Sequence, residues 1–259
     1  MEGQAFYRQL DGELFEASKW TRGPWSPKHQ HAGPPAALVA GRLETMLSEG
    51  FRLVRLSIEI PRPVPVGRLR LERAFRREGS TVKVLTARLS SDDGKLVLAA
   101  EALALAEAEL GIEPEQAVME EDLPSAGVSA RFPFFDADSN YAAAMDLRFT
   151  RGAFGEGDVM AWLRMRLPLL EGQAPSPIER LMTAADSGNG VSQRLRVRDF
   201  TFVNPDLVVT TYRPARGEWI GLAARTDLDD RGVGMADTRL YDEHGPIGRG
   251  VQTLVVRKR

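Results

Sequence analysis

The chain of 259 residues contains no cysteine and three histidines, at positions 29, 31 and 244. A nucleophile would therefore be a serine, a threonine, a carboxylate or an activated water, and thiolate-bound zinc and disulfide frameworks are excluded. Asp186 stands out, in Ala184-Ala185-Asp186-Ser187-Gly188 near the end of an apolar helical segment. A carboxylate on a covered helix must be paired or hydrogen-bonded. The other reading is that the helix has already ended, since Ser187-Gly188-Asn189-Gly190 is a stop signal, and that Asp186 caps a loop. Gln252 sits in an apolar run, Gly250-Val251-Gln252-Thr253-Leu254, and faces either the interior or the outer side of a strand. Thr226, in Ala224-Arg225-Thr226-Asp227, is ordinary strand composition.

His29-Gln30-His31 could hold a metal with a distant carboxylate, but polar residues in a loop before a helix explain it as well, and no metal is expected. His31-Ala32-Gly33 leads into a helix whose free N–H groups can meet a carbonyl or a phosphate. His244 falls in a hairpin turn and is expected in solvent. No G-x-S-x-G elbow is present, because Gly188-Asn189-Gly190-Val191-Ser192 has the wrong order. The glycines near Gly232 and Gly234 are too few for a dinucleotide fingerprint, and there is no phosphate-binding loop of the Walker type.

The elements that must position these residues repeat. Thr86 to Leu105 and Ala236 to Val256 each read as strand, turn ending in glycine, strand. Arg88 and Arg239, Leu89 and Leu240, Gly94 and Gly245, and Leu103 and Leu254 are all 151 positions apart. At this offset Gln252 corresponds to Glu101, which suggests a polar architectural slot. Upstream, Arg52 to Gly79 and Arg198 to Asp227 alternate apolar and polar residues as half-buried strands do, with prolines at strand ends. A helix is predicted before each, over Gly33 to Gly50 and over Ser176 to Gly190. Pro34 and Pro35 suit a helix start, and Ser176 with Glu179 forms a capping box. The second half opens with strands over Ala142 to Phe149 and Asp158 to Leu167.

This order predicts an α+β fold, a tandem or double hot-dog, in which each long helix is covered by an antiparallel sheet. The expected division is 1–106, an acidic linker over 107–135, and 136–259. With 43% hydrophobic residues the chain can bury a full core, and its net charge of -2 gives no field for nucleic acid or anionic membrane. The polar N-terminus is no signal peptide, no apolar run approaches a membrane span, and a reducing cytoplasm is expected. Association into a homo-oligomer through open sheet edges is expected as well.

Residues 184 to 257, together with Gln30-His31-Ala32-Gly33-Pro34-Pro35-Ala36-Ala37-Leu38, resemble the acyl-CoA thioesterase-like superfamily. The likeness is to double hot-dog proteins similar to bacterial acyl-CoA thioesterase II. The first-half stretch is similar to that family's His-Gly-Gly helix start, with Ala32 at the first glycine. The resemblance implies hydrolysis of an acyl-CoA thioester without a cofactor. It implies a catalytic Asp on the second-half helix, a hydroxyl residue on a strand and a Gln on the last strand, which fall on Asp186, Thr226 and Gln252. His31 and Gly33 would meet the substrate. The chain departs from the family pattern in its Gly-Asn-Gly after the Asp and in the neighbours of Thr226. A non-catalytic acyl-CoA or hydrophobic-ligand binding protein is the alternative. A hydratase of the same fold would want an Asp/His pair, and no histidine stands in a matching helix context. One working pocket is expected, built mainly by the second half and closed by the first.

Overall fold

The computed structural model describes residues 4–112, 119–135 and 139–259. Six strands and one helix make up the first part: β1 (Tyr7–Asp11), β2 (Leu14–Ala17), α1 (Gly33–Glu44), β3 (Phe51–Glu59), β4 (Arg68–Glu78), β5 (Val82–Ser91) and β6 (Leu96–Ala106). The second part has β7 (Val128–Ala130), β8 (Met145–Arg151), β9 (Asp158–Met165), α2 (Pro177–Ala185) and α3 (Gly188–Val191). It ends with β10 (Phe200–Val203), β11 (Asp206–Thr211), β12 (Trp219–Leu228), β13 (Val233–Asp242) and β14 (Gly245–Lys258). All pair antiparallel in one sheet of order β1-β2-β4-β5-β6-β3-β11-β14-β13-β12-β9-β8-β7, with β10 also on β14. Both helices are shorter than the predicted spans. The capping box of Ser176 and Glu179 starts α2 as the sequence predicts.

Within this sheet the run β4-β5-β6-β3 is repeated as β12-β13-β14-β11. Register makes the repeat quantitative. Leu71 pairs with Leu89 and Leu222 with Leu240, so both members of each pair are displaced by 151. The displacement changes after the turn. Leu89 pairs with Leu98 but Leu240 pairs with Gly248, and Leu98 and Gly248 are 150 apart. The first turn, between Ser91 and Leu96, is longer than the two residues between Asp242 and Gly245. Because strand faces alternate with period two, a slip of one residue exchanges them. Glu101 therefore corresponds to Val251 on the outer face, where it pairs with Arg55 and Arg76, and the counterpart of Gln252 is the buried Ala102. The expected polar slot shared by Glu101 and Gln252 does not exist.

Apolar residues from the inner sheet face and the helices form one large core. Helix α1 is apolar nearly all round, with Gly33 to Gly41 buried throughout, as a helix covered on every side must be. It packs on β3, β5, β6 and α2. A Cβ at Gly33 would lie 2.4 Å from the Thr183 carbonyl oxygen, and one at Gly41 would lie 2.3 Å from Glu179 Oε1. The helices thus run antiparallel in close contact, with the start of α1 beside the end of α2. Residues 107–135, expected to be a linker, do more than connect: β7 pairs with β8, and Phe132 is buried in the core. Residues 113–118 of that segment, and 136–138 of the expected second unit, lie outside the described residues.

Asp242, fully buried, ties the connection between β11 and β12 to the β13–β14 turn. Its carboxylate accepts from Arg213 Nη1 (2.5 Å) and Nη2 (2.7 Å) and from the backbone N–H groups of Arg216 (2.7 Å) and His244 (2.8 Å). Asp242→Ala leaves the guanidinium of Arg213 without its partner and should cost about 3–5 kcal/mol. Urea unfolding checks this, and a loss under about 1 kcal/mol, the scale of an exposed pair, would show that the tether contributes nothing special.

Candidate active site

Asp186 is the C-cap residue of α2, with helical backbone angles, and is 6% exposed. Both readings of the sequence are thus half right, since the helix proper ends at Ala185 yet the carboxylate is buried. Three side chains from separate elements converge on it. Asn204 Nδ2 donates to Oδ1 at 2.8 Å, and Gln252 Nε2 donates to the same oxygen at 3.1 Å. His31 Nδ1 lies 3.1 Å from Oδ2. Gln252 is further fixed at both ends of its amide, donating to the Asp186 carbonyl (3.0 Å) and accepting from the Asn189 N–H (3.0 Å). Asn204 also donates to the Asp206 carbonyl, which holds it at the break between β10 and β11.

Close contact of α1 with α2 brings His31 to this point. Its ring stacks parallel on Tyr141 at 3.8 Å. Tyr141 donates its hydroxyl hydrogen to the Thr183 carbonyl (2.9 Å), so Ser187 Oγ (2.8 Å) donates to Tyr141. Burial pushes the Tyr141 phenol well above its ordinary range, so it stays protonated. Burial likewise pushes the His31 imidazole below its ordinary value, and the charge of Asp186 offsets part of that. Near neutral pH the ring is uncharged. Its Nδ1 is also 3.1 Å from the Gly33 backbone N. One nitrogen cannot donate to Asp186 and accept from Gly33 at once. With Nδ1 protonated and Asp186 ionised, the Gly33 N–H is released. With the proton on Asp186, Nδ1 accepts from Gly33.

A cavity of about 360 Å³ opens on this group. Its polar lining includes His29, His31, Asp186, Asn189, Asn204 and Gln252, with Gln30 and Arg62 beside them. Trp25, Ile60, Val64 and Phe202 form one apolar flank, and Phe132, Phe134 and Phe135 another. Both halves of the chain and the segment between them build it, so the expectation that the second half supplies most of it is corrected. Among the described residues no cluster suited to a metal ion occurs.

Of the predicted residues, Asp186, Gln252 and His31 meet, and Gly33 lies behind His31. Thr226 does not reach them. It shares a face with Gln252 but lies two strands away, with Ala236 between. Ser192 Oγ donates to the Gly188 carbonyl, so Thr226 Oγ1, 2.7 Å away, donates to Ser192. Thr226 braces α3 and touches no part of the cavity. The third polar partner of Asp186 is Asn204, which the sequence reading missed. Its only sequence signal is Asn204-Pro205, a turn dipeptide between apolar runs. No histidine lies on a helix, as expected of the sequence, yet an Asp/His pair forms all the same, because the loop before α1 brings His31 to Asp186. His244 is exposed, as expected.

Comparison with known proteins places this geometry. Solved structures share the fold. A protein of Thermobifida fusca named as a thioesterase II superposes with a TM-score of 0.76 at 16% identity, over 97% of this chain and 95% of that one. A conserved protein of Alicyclobacillus acidocaldarius with a hot dog fold gives 0.75 at 15% identity, over 96% and 95%. An acyl-CoA thioesterase II of Mycobacterium marinum gives 0.65 at 14% identity, over 98% and 95%. No curated protein matches the chain by sequence. Residues 21–106 match the family described as the acyl-CoA thioesterase N-terminal domain, and residues 116–256 match that of the acyl-CoA thioesterase C-terminal domain. By these two consecutive matches, the second covering more than half its length, the chain belongs to the acyl-CoA thioesterase family.

Proposed function

We propose that the protein hydrolyses a fatty acyl-CoA thioester to the free acid and CoA, with Asp186 as the base that activates water. The observation that carries this reading is the convergence of His31, Asn204 and Gln252 on a buried carboxylate at the wall of an apolar cavity. Two amide donors occupy Oδ1, while Oδ2 meets only His31 Nδ1, so Oδ2 is the oxygen that keeps a lone pair for a proton. Water attacks the thioester carbonyl carbon as Oδ2 accepts its proton. A helix-terminal N–H at the start of α1 stabilises the oxyanion. Collapse of the tetrahedral intermediate breaks the C–S bond, and the proton passes to the leaving thiolate. While Asp186 is ionised, His31 donates from Nδ1 to it, and this tautomer no longer accepts from the Gly33 N–H. The apolar flanks take the acyl chain. Asn204 and Gln252 orient the carboxylate, and Thr226 has no part in the chemistry.

On the same reading the chain is two hot-dog units, 1–106 and 136–259, joined by 107–135, with α1 and α2 as their central helices. The repeated strand order and the side-by-side helices support it. A cysteine-free chain suits a reducing cytoplasm. No helix among the described residues is long and apolar enough to cross a membrane. The edges at β7 and at β1 beyond Tyr7, which is itself bonded to Leu169 and Glu171, are the places where copies would pair into a homo-oligomer.

Two measurements test the chemistry. Thiol release from acyl-CoAs of graded chain length should fall at least about 10²-fold in Asp186→Asn, the usual yield of a general base. Thr226→Val should retain kcat within a few-fold. A wild type inactive on every chain, or an Asp186→Asn variant as active as wild type, would remove Asp186 as the base. Tight acyl-CoA binding without turnover would move the protein to the binding-only alternative.

The second measurement reads His31 through stability. Its pKa is depressed in the folded state, so the unfolded chain binds the proton more readily. Its contribution to stability is full above about pH 6.5, the unfolded value, and is lost as pH falls below it. Urea midpoints of wild type and His31→Gln should therefore draw together between about pH 7.5 and 5.5. A difference that stays constant with pH would mean that the imidazole is not held neutral by burial.

A further inference from the structure

A second cavity, of about 490 Å³, adjoins the first, and the two share Phe132 and Phe135 as walls. Its polar surface is strongly basic. Arg131 follows β7, Arg148 lies on β8, Arg164 on β9, and Arg166 just after β9. One acid, Asp146, faces them. It is committed to Arg164, accepting from Nε at 3.0 Å and Nη2 at 2.7 Å, and lies 3.7 Å from Arg166 Nε. Arg148 has no carboxylate partner among the described residues. Its Nη1 donates to the Pro124 carbonyl, and its guanidinium lies 4.9 Å from the Trp219 ring, so it is held in place while its other donors stay free. Arg131 makes no side-chain hydrogen bond or ion pair among the described residues. Among the described residues, two guanidinium groups thus stand without a carboxylate partner beside a cavity that already holds an ion pair.

Gathering like charges without a counterion is unfavourable, and their fixed forks match phosphate oxygens in pairs. An acyl-CoA has its phosphates at the nucleotide end, separated from the thioester by the pantetheine arm. A site for them must lie away from Asp186 yet border the same cavity, as this one does. We propose that Arg131 and Arg148, with Arg166, bind the phosphate groups of the CoA nucleotide, so that Phe132 and Phe135 stand beside the pantetheine arm and the acyl chain runs toward Trp25 and Phe202. This rests on the thioesterase reading and adds the residues that hold the nucleotide end of its substrate.

The experiment compares three thioesters of one acyl group, on CoA, on N-acetylcysteamine, which has no phosphate, and on an acyl carrier protein. In Arg131→Ala, and separately in Arg148→Gln, the preference in kcat/KM for the CoA ester over the N-acetylcysteamine ester should fall about tenfold through KM, the scale of one charge-assisted hydrogen bond. Calorimetric titration of wild type with adenosine 3′,5′-bisphosphate should show binding that each variant weakens by a similar factor. Arg131 is exposed, so its variant should fold as wild type does. An unchanged preference, an equal loss on both small esters, or a loss confined to the carrier-protein ester would overturn the assignment. Failure of the thioesterase reading is separately visible, as absence of hydrolysis of all three esters by wild type. The nucleotide titration then decides the site alone, and no binding of adenosine 3′,5′-bisphosphate overturns it.

Discussion

The site depends on how closely α1 and α2 approach. Gly33 and Gly41 leave no side chain between the helices, and any Cβ there would meet Thr183 or Glu179. An antiparallel contact this tight puts the N-terminus of one helix against the C-terminus of the other. The N–H groups at the start of α1 and the carboxylate of the α2 C-cap residue become neighbours. His31 and Asp186, 155 positions apart in sequence, meet because of it. The sheet serves the same contact from outside. It covers both helices and delivers Asn204 and Gln252 from β10's end and β14 to the one open side of the carboxylate.

A buried carboxylate is costly in an apolar core, and its neighbours here reduce that cost in different ways. Asn204 and Gln252 give it hydrogen bonds without charge. His31 gives a neutral donor that burial keeps from becoming an imidazolium. Tyr141 adds no bond to Asp186, but it fixes the plane of the His31 ring by stacking and is itself pinned to α2 through Thr183 and Ser187. The carboxylate is therefore stabilised by dipoles rather than by a full countercharge. A tight pair with arginine, like that of Asp242 with Arg213, would instead supply a full countercharge.

Much of the framework was legible in the sequence because strand period, turn glycines and helix caps are local properties. The capping box at Ser176, the proline start of α1 and the repeated hairpin all follow from neighbours in the chain. What failed was register. A turn of different length shifted β14 by one residue against its counterpart, and no local signal separates an offset of 150 from one of 151. That residue decides whether Gln252 answers to Glu101 or to Ala102. The site was legible for residues in telling surroundings, a carboxylate at a helix end and a glutamine in an apolar strand. Asn204 and Tyr141 lie in irregular stretches where a polar residue carries no information about its partner. Thr226 shares the face of Gln252, but lateral distance across a sheet is set by strand order, which the sequence does not state.

The repeated framework also explains why this arrangement occurs once in the chain. The position that matches Asp186 at the end of α1 is its own C-cap, Thr45. The residue 151 positions before Asn204 is the buried Leu53, and the counterpart of Gln252 is Ala102. A carboxylate placed there would find no amide donor from either strand. The end of α1 and the start of α2 carry instead Glu44 and Glu179, each raised above the ordinary carboxylate range by burial, with Ser176 hydrogen-bonded to Glu179. That end serves helix capping and packing, and the polar partners needed to hold an ionised Asp exist only where β14 carries Gln252 and the β10–β11 break carries Asn204. Two copies of one backbone plan thus divide the work: one end of the helix pair binds the pair together, and the other is free to hold a reactive group.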